Sequence, residues 1–346
     1  MASFPLFSFS FHQKKFLSLI HSLLLLFSTM ALYAQSQYPT QFTVAQDGSG
    51  DFKTIQEAVN AVRDLSQVRV KIFIKKGIYH EKLVIPSWKT KISLIGEEKD
   101  GTIIDNDDYS GKPFPSGRDA FGKDKFTTYT SFTVLVQGND FSAENLTIEN
   151  TAGRVGQAVA LHVEADRVVI KNCSLKGNQD TLYTATESSR QYYENCYIEG
   201  TTDFIFGEAT AVFKNCIIKS LADSYITAAS TTPRQPYGYV FFDCHLTAAD
   251  NVHKVFLGRP WRPHAKTVFI RTKMESHIRP EGWDNWRNPE NEKTAFYAEF
   301  DSNGNGASML SHRVKWARTL KPHDVKKYTI QNIFSGNMSW NPLSPN

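Results

Sequence analysis

The apolar positions of this chain fall into three successive patterns. From Phe16 to Ala34 they form a nearly unbroken run, preceded by Lys14 and Lys15 and interrupted only by small polar residues and His21. A basic pair followed by an apolar stretch has the form of a secretory signal, which sets residues 1–34 apart from one folded domain over 35–346. Cleavage after Ala34 would leave Leu32 where a small residue is preferred, so a retained signal anchor stays an alternative. The second pattern is helical. Thr54 and Glu57 have the spacing of a capping box, and Ile55, Ala58, Val59 and Val62 share one face, which predicts a short amphipathic helix. The third pattern is that of strands: Val68 to Ile74 and Ile92 to Gly96, with Gly77-Ile78-Tyr79 as a turn between them and strands only from there onward.

Those later strands repeat. The octet from Phe141 to Ile148 is echoed by Val168 to Leu175, Tyr192 to Ile198, Ala211 to Ile218 and Tyr239 to Leu246. Each is an apolar strand followed by Asn145, Asn172, Asn195, Asn215 or Asp243, then an apolar residue that is usually cysteine. Self-similarity at a period of roughly 20 to 28 residues marks a solenoid, and short strands without helices between them make it a parallel β-helix. The fold class expected is therefore all-β, one coil per repeat, with the short helix capping the N-terminal end.

This register bears on the cysteines. Cys173, Cys196, Cys216 and Cys244 occupy one phase of successive repeats and point into a single interior column, where a thiol behaves as a small apolar group. Disulfides between neighbouring coils stay open as an alternative, because strands about 4.8 Å apart come within bridging distance. The spacings match no zinc site. Three sequons begin at Asn145, Asn172 and Asn337; the first two fall within the repeats, where the asparagine should bend the coil or face inward, which leaves Asn337 as the better glycosylation acceptor.

Composition narrows the class further. With 41% hydrophobic and 21% charged residues in 346, the chain is globular rather than disordered. Loss of Lys14 and Lys15 with the leader takes the formal charge from +4 to +2. A mildly basic secreted protein suits an anionic matrix, and no lysine or arginine block is dense enough for nucleic acid.

Asp180 and Asp203 are the candidate chemistry. Each sits among apolar and aromatic residues, in Gln179-Asp180-Thr181-Leu182-Tyr183 and in Thr202-Asp203-Phe204-Ile205-Phe206-Gly207. Such surroundings should drive two carboxylate pKa values apart and provide an acid and a base.

Five motifs then define a resemblance. Gly77-Ile78-Tyr79-His80-Glu81, Gly156-Gln157-Ala158-Val159-Ala160-Leu161, Gln179-Asp180-Thr181-Leu182, Asp203-Phe204-Ile205-Phe206-Gly207 and Leu257-Gly258-Arg259-Pro260-Trp261 stand in the order and approximate spacing of the signatures of plant pectin methylesterases. From about residue 40 to 340 the chain resembles that family, which implies a right-handed parallel β-helix and hydrolysis of galacturonate methyl esters in pectin. The resemblance makes Asp203 the nucleophile, Asp180 the general acid and then base, Arg259 the cation that holds Asp203 ionised, and Gln157 with Gln179 the oxyanion donors. It makes Tyr183, Phe206, Trp261 and Trp283 platforms for sugar rings. It implies no cofactor and no metal. As partners it implies methyl-esterified homogalacturonan and proteinaceous pectinesterase inhibitors, with neither nucleic acid nor, after signal cleavage, a membrane; the enzyme is expected to be a monomer secreted to the plant cell wall.

Two departures from the family pattern are expected. Thr184 to Ser189 makes the segment between the aspartates about two residues longer than in many relatives, which should alter a loop at the cleft. An inhibitor-like pro-region, carried by many plant members, is expected to be missing. Polygalacturonases and pectate lyases share the solenoid, but the Gly-His-Gly and Arg-Ile-Lys elements of the first and the acidic calcium cluster of the second are not found. A non-enzymatic wall-binding descendant would require loss of a catalytic residue, and none is missing.

Overall fold

The computed structural model describes residues 16, 18–25, 38–308, 310–335 and 340–344. It divides into residues 1–40 and 41–346. In the first unit residues 18–25 are helical and exposed, and no helix among the described residues is long and apolar enough to cross a membrane. Ala34 and Asn337, and with them the cleavage point and the third sequon, lie outside the described residues.

The second unit is a parallel β-helix. Its strands form three parallel sheets of eleven, eight and seven strands, and between Val70 and Gly258 each coil contributes one strand to each in turn. One coil runs Arg190–Glu194, Tyr197–Gly200 and Ile205–Gly207 before Thr210–Lys214 begins the next. The strand Gln41–Val44 starts the unit and the helix Ile55–Ala61 follows it; Thr54 caps the helix, with the reciprocal Glu57 bond in place, and Ile55, Ala58 and Val59 are buried.

The repeated asparagine has a conformational cause. Asn145, Asn172, Asn195, Asn215 and Asp243 have φ between 48° and 56°, the left-handed region that Asn and Asp tolerate better than other residues with a side chain. Each turns the chain between the eleven-stranded and the eight-stranded sheet. The residue after it then points inward, so Cys173, Cys196, Cys216 and Cys244 form a buried column of free thiols. The asparagines bend the coil as expected, but they lie in turns rather than strands: Asn172 is exposed and its amide donates to the Asn145 side chain.

Interior packing is by in-register ladders. Tyr193, Phe213, Phe241 and Phe269 pair in succession across the eleven-stranded sheet, with ring centroids 4.8, 4.5 and 4.4 Å apart. Offset stacking at this spacing adds about 0.5–1.5 kcal/mol per pair beyond the area buried. The ladder reaches Glu299, whose buried carboxylate takes two bonds from Arg313 at 2.8 and 3.1 Å and so closes the C-terminal end without an unpaired charge.

Two details differ from the sequence reading. Gly77–His80 is itself a strand, paired with Thr102–Asn106, because Gly77 at φ 158° is extended rather than turned. Helices also occur late, at Asn291–Thr294, Pro322–Val325 and Ile330–Ile333. The last two follow the final coils and bring Tyr328, Ile333 and Phe334 over Tyr192, Val212 and Val240 on the outer face of the eleven-stranded sheet. An apolar outer face needs a cover, and single-turn helices supply it.

Candidate active site

Coil stacking brings the two aspartates together. Leu182 pairs with Ile205 across the seven-stranded sheet, so Asp180 and Asp203, each two residues earlier, occupy neighbouring coils about one strand spacing, roughly 4.8 Å, apart along the axis. Both have positive φ, 67° and 50°, which lifts each carboxylate out of the wall instead of into the core. Asp180 N–H donates to Thr202 O and Asp203 N–H to Tyr225 O, so the strained backbone is tied to the next coil. Gln157 and Gln179 form a parallel bridge one coil earlier. Among the described residues, no hydrogen bond engages either glutamine side-chain amide.

Arg259 arrives from two coils further on, directly after the strand Phe256–Gly258. A Cβ at Gly258 would sit 2.0 Å from Thr227 Oγ1, so only glycine lets the chain pass that close before Arg259 turns outward. Its Nε and Nη2 donate to Asp203 Oδ1 and Oδ2 at 2.9 and 2.6 Å, the planar two-bond match that lysine cannot make. The guanidinium lies between Tyr225 and Trp286, 3.9 and 3.7 Å from the two ring centroids.

The two carboxyl groups differ in electrostatics, but not as the sequence suggested. Burial pushes Asp180 well above the ordinary carboxylate range, the charge of Asp203 adds to this, and Arg259 opposes it only weakly. Burial also pushes Asp203 up; the bonds and charge of Arg259 pull it back, and Asp284 adds a small rise. The expected split in opposite directions is therefore a split in extent: both rise, and Asp180, with no donor on its oxygens among the described residues, rises further. The pairing still fits a protonated Asp180 beside an ionised Asp203.

The rise at Asp180 predicts a pH-dependent stability. A carboxyl whose folded pKa exceeds its unfolded value of about 3.9 costs nothing below that value and destabilises the fold progressively as pH rises through the window above it. Asp180→Asn should thus have the higher melting temperature at neutral pH, with the gap closing below about pH 4. A variant melting below wild type at neutral pH would contradict the uncompensated burial.

Around these groups lies a cleft of about 320 Å³ whose walls include Thr128, Tyr129, Phe206, Ala228, Trp261 and Trp286 besides the residues above. Tyr183 and Phe206, in register on the outer face of the seven-stranded sheet, stack at 4.5 Å, and Trp261 stands edge-on to both. Trp283 does not belong here. It is 1% exposed, stacks on Tyr297 at 4.3 Å and continues the interior aromatic ladder beyond Phe269. Beside Trp261, the cleft holds Trp286, which sequence reasoning missed together with Tyr129, whose ring lies 5.6 Å from Tyr183. Glu187 and Ser188, in the segment thought to reshape the cleft, line a separate hollow instead, where Arg234 pairs with Glu187. Trp283→Ala should accordingly cost about 3–5 kcal/mol in stability by opening a core cavity, whereas Trp286→Ala should leave melting nearly unchanged and lower turnover; thermal melts and rates on both variants separate the two roles.

The family model described as Pectinesterase matches residues 41–337. A probable pectinesterase/pectinesterase inhibitor of Arabidopsis thaliana is 38% identical over 327 residues, 90% of this chain and 46% of the relative. The chain spans about half the length of the curated relatives it matches. A pectin methylesterase from carrot has a TM-score of 0.76 at 33% identity, covering 86% of this chain and 93% of that one. A pectin methylesterase mutant in complex with a hexasaccharide has a TM-score of 0.74 at 30% identity, covering 89% and 99% respectively.

Proposed function

The chain belongs to the pectinesterase family, and from that premise we propose that it hydrolyses the methyl esters of galacturonate units in cell-wall pectin, releasing methanol and leaving the free acid. The observation that carries this reading is the pair of carboxylates in one cleft, Asp203 held by two bonds from Arg259 and Asp180 buried without a donor among the described residues.

In the first half-reaction an Asp203 oxygen attacks the ester carbonyl carbon, and the carbonyl π pair moves onto oxygen. The free amides of Gln157 and Gln179 donate to that oxyanion; loss of one such donor costs on the order of 10²-fold in rate. Collapse expels methanol as Asp180 gives its proton to the leaving oxygen, and an acyl-enzyme anhydride remains on Asp203. Asp180, now ionised, takes a proton from water, the hydroxyl adds to the acyl carbon, and the Asp203 carboxylate departs. The aromatic walls of Phe206, Trp261 and Trp286, with Tyr129, offer flat apolar faces to sugar rings, whereas Tyr183, expected as a platform, packs between Phe206 and His162 and backs that wall.

On the same reading the substrate is methyl-esterified homogalacturonan, and the protein is a secreted monomer of the plant cell wall that proteinaceous pectinesterase inhibitors can bind. A leader over residues 1–34 followed by one catalytic domain over 35–346 is part of the same reading. Incubating the purified protein with highly esterified homogalacturonan should release methanol and titratable acid in equal amounts without shortening the polymer. New reducing ends or unsaturated products, without methanol, would point to a depolymerase instead.

A further inference from the structure

The coil that carries Gln157 stacks on an irregular neighbour. Between the strands Thr102–Asn106 and Val134–Val136 the chain leaves the solenoid for residues 107–133, so Gln157, Ala158 and Val159, themselves outside the strands, have no strand of the preceding coil beside them. On the following side they are held by the bridge to Gln179, with Ala158 N–H donating to Gln179 O at 3.0 Å. On the preceding side the two ends of the excursion hold them: Ser110 N–H donates to Gln157 O at 2.8 Å, and Thr133 N–H to Val159 O at 3.0 Å.

One buried side chain joins these three segments. Asn150 ends the strand Thr147–Asn150 and is 2% exposed. Its Nδ2 faces Asp108 O at 2.9 Å, where the excursion departs, Ser131 O at 3.2 Å, where it returns, and Val159 O at 3.1 Å. Its Oδ1 accepts from Ala152 N–H at 3.0 Å, which fixes the end of the amide that donates. Two amide hydrogens thus serve three carbonyls. Ser131, also buried, completes the joint: its Oγ donates to Thr128 O at 2.8 Å, in the helix that carries Tyr129, and accepts from Val159 N–H at 3.2 Å. A second clasp ties the same two ends, for Lys82 Nζ donates to Asp108 Oδ2 at 2.8 Å and to Phe132 O at 3.0 Å. Among the described residues Lys82 makes no hydrogen bond to residues 157–159.

We propose that Asn150 is a positioning residue for the esterase reaction: its amide sets the backbone that bears Gln157 and so aims the Gln157 side chain at the developing oxyanion. The proposal rests on the esterase reading given above, in which Gln157 is an oxyanion donor. A side-chain amide held by no hydrogen bond of its own takes its aim from its backbone, and such a donor is effective only over a narrow range of about 2.7–3.1 Å from the oxyanion. Replacing Asn150 with alanine removes the donor shared by the three carbonyls. Lys82 still joins the ends of the excursion, so the wall with Tyr129 should stay while the segment under Gln157 loosens. Binding at the aromatic walls should therefore change little.

The test measures kcat and KM for methanol release from highly esterified homogalacturonan by the full-length wild type, Asn150→Ala, Gln157→Ala and the double variant. Asn150→Ala should lower kcat about tenfold and leave KM within about twofold, a part of the roughly 10²-fold lost with the donor itself. In the Gln157→Ala background the same change should lower kcat by less than about twofold, because no donor is left to aim, and such non-additivity marks two residues acting through one interaction. Equal losses of kcat in both backgrounds, or a change confined to KM, make Asn150 a structural residue and overturn the proposal. If Asn150→Ala does not fold, Asn150→Ser takes its place in the same cycle with the same outcomes deciding, since its hydroxyl can keep the Ala152 N–H bond but is too short to reach three carbonyls. Gln157→Ala with wild-type kcat removes the donor and overturns the proposal while the esterase reading stands. A wild type that releases no methanol overturns the esterase reading itself.

Discussion

Replacing Asp203 with asparagine should lower methanol release on the order of 10⁴-fold or more while leaving the melting temperature and pectin binding near wild type. The scale follows from what is removed. An amide in place of the attacking carboxylate cannot form the acyl intermediate, and nucleophile losses in covalent hydrolases are typically of this size or larger. Asparagine keeps the shape, and its oxygen can still accept from Arg259, so the cleft should not collapse. Removing the negative charge should also let the Asp180 pKa fall, because Asp203 is the second largest cause of its rise after burial. Activity within tenfold of wild type would refute the nucleophile assignment; loss of the folded state would leave it to be decided by trapping the acyl-enzyme in the wild-type protein.

Arg259→Ala should have the next largest effect, on both stability and rate. Among the described residues the guanidinium is the only group that opposes the burial of Asp203, and breaking a buried pair by removing one partner costs about 3–5 kcal/mol. Without it the Asp203 pKa climbs further. The ionised form needed for attack then appears at higher pH, so the acid limb of the rate profile should move upward, not downward. Tyr225 and Trp286 would face each other across the space left by the side chain. Arg259→Lys should recover part of the rate and little of the profile, since an ammonium makes one directed contact where the planar fork makes two. A lysine variant whose pH–rate profile matches wild type in position and height would make Arg259 a structural residue only.

Much of this was legible in the residues, and the reason is the solenoid. Where one coil repeats another, an Asn or Asp at the left-handed turn and a small apolar residue after it leave a readable phrase, as at Asn172-Cys173 and Asn195-Cys196. The same periodicity puts Asp180 and Asp203 in register, so two short motifs 23 residues apart could be read as one site. What escaped lies where the periodicity stops. Trp283 and Trp286 stand three residues apart in a segment without strand alternation. Their fates are set by geometry that composition does not carry: Trp283 bridges back to Gly258 and enters the core, while Trp286 and Arg287, at φ 60° and 56°, swing the chain out so that the second indole lies over Arg259. Asp284 Oδ1 accepts from Trp286 N–H at 2.7 Å and fixes that reversal. Tyr129 was hidden for a similar reason, in a long excursion between coils whose return to the cleft depends on a single short helix, Thr128–Thr130. The direction of the Asp203 shift was missed because a visible arginine suggests a lowered pKa, whereas the degree of burial appears only once the chain is folded.

The column of thiols gives this fold a built-in reporter of how it comes apart. Cys173, Cys196, Cys216 and Cys244 sit in four successive coils, each hidden until its own coil opens. In a stack where each unit is stabilised mainly by its neighbours, unwinding can proceed from an end or all at once. A thiol-reactive label applied under mild denaturant would distinguish the two by mass alone. End-first unwinding yields a ladder of molecules with one, two and three labels, whereas a concerted transition yields only unlabelled and fully labelled ones.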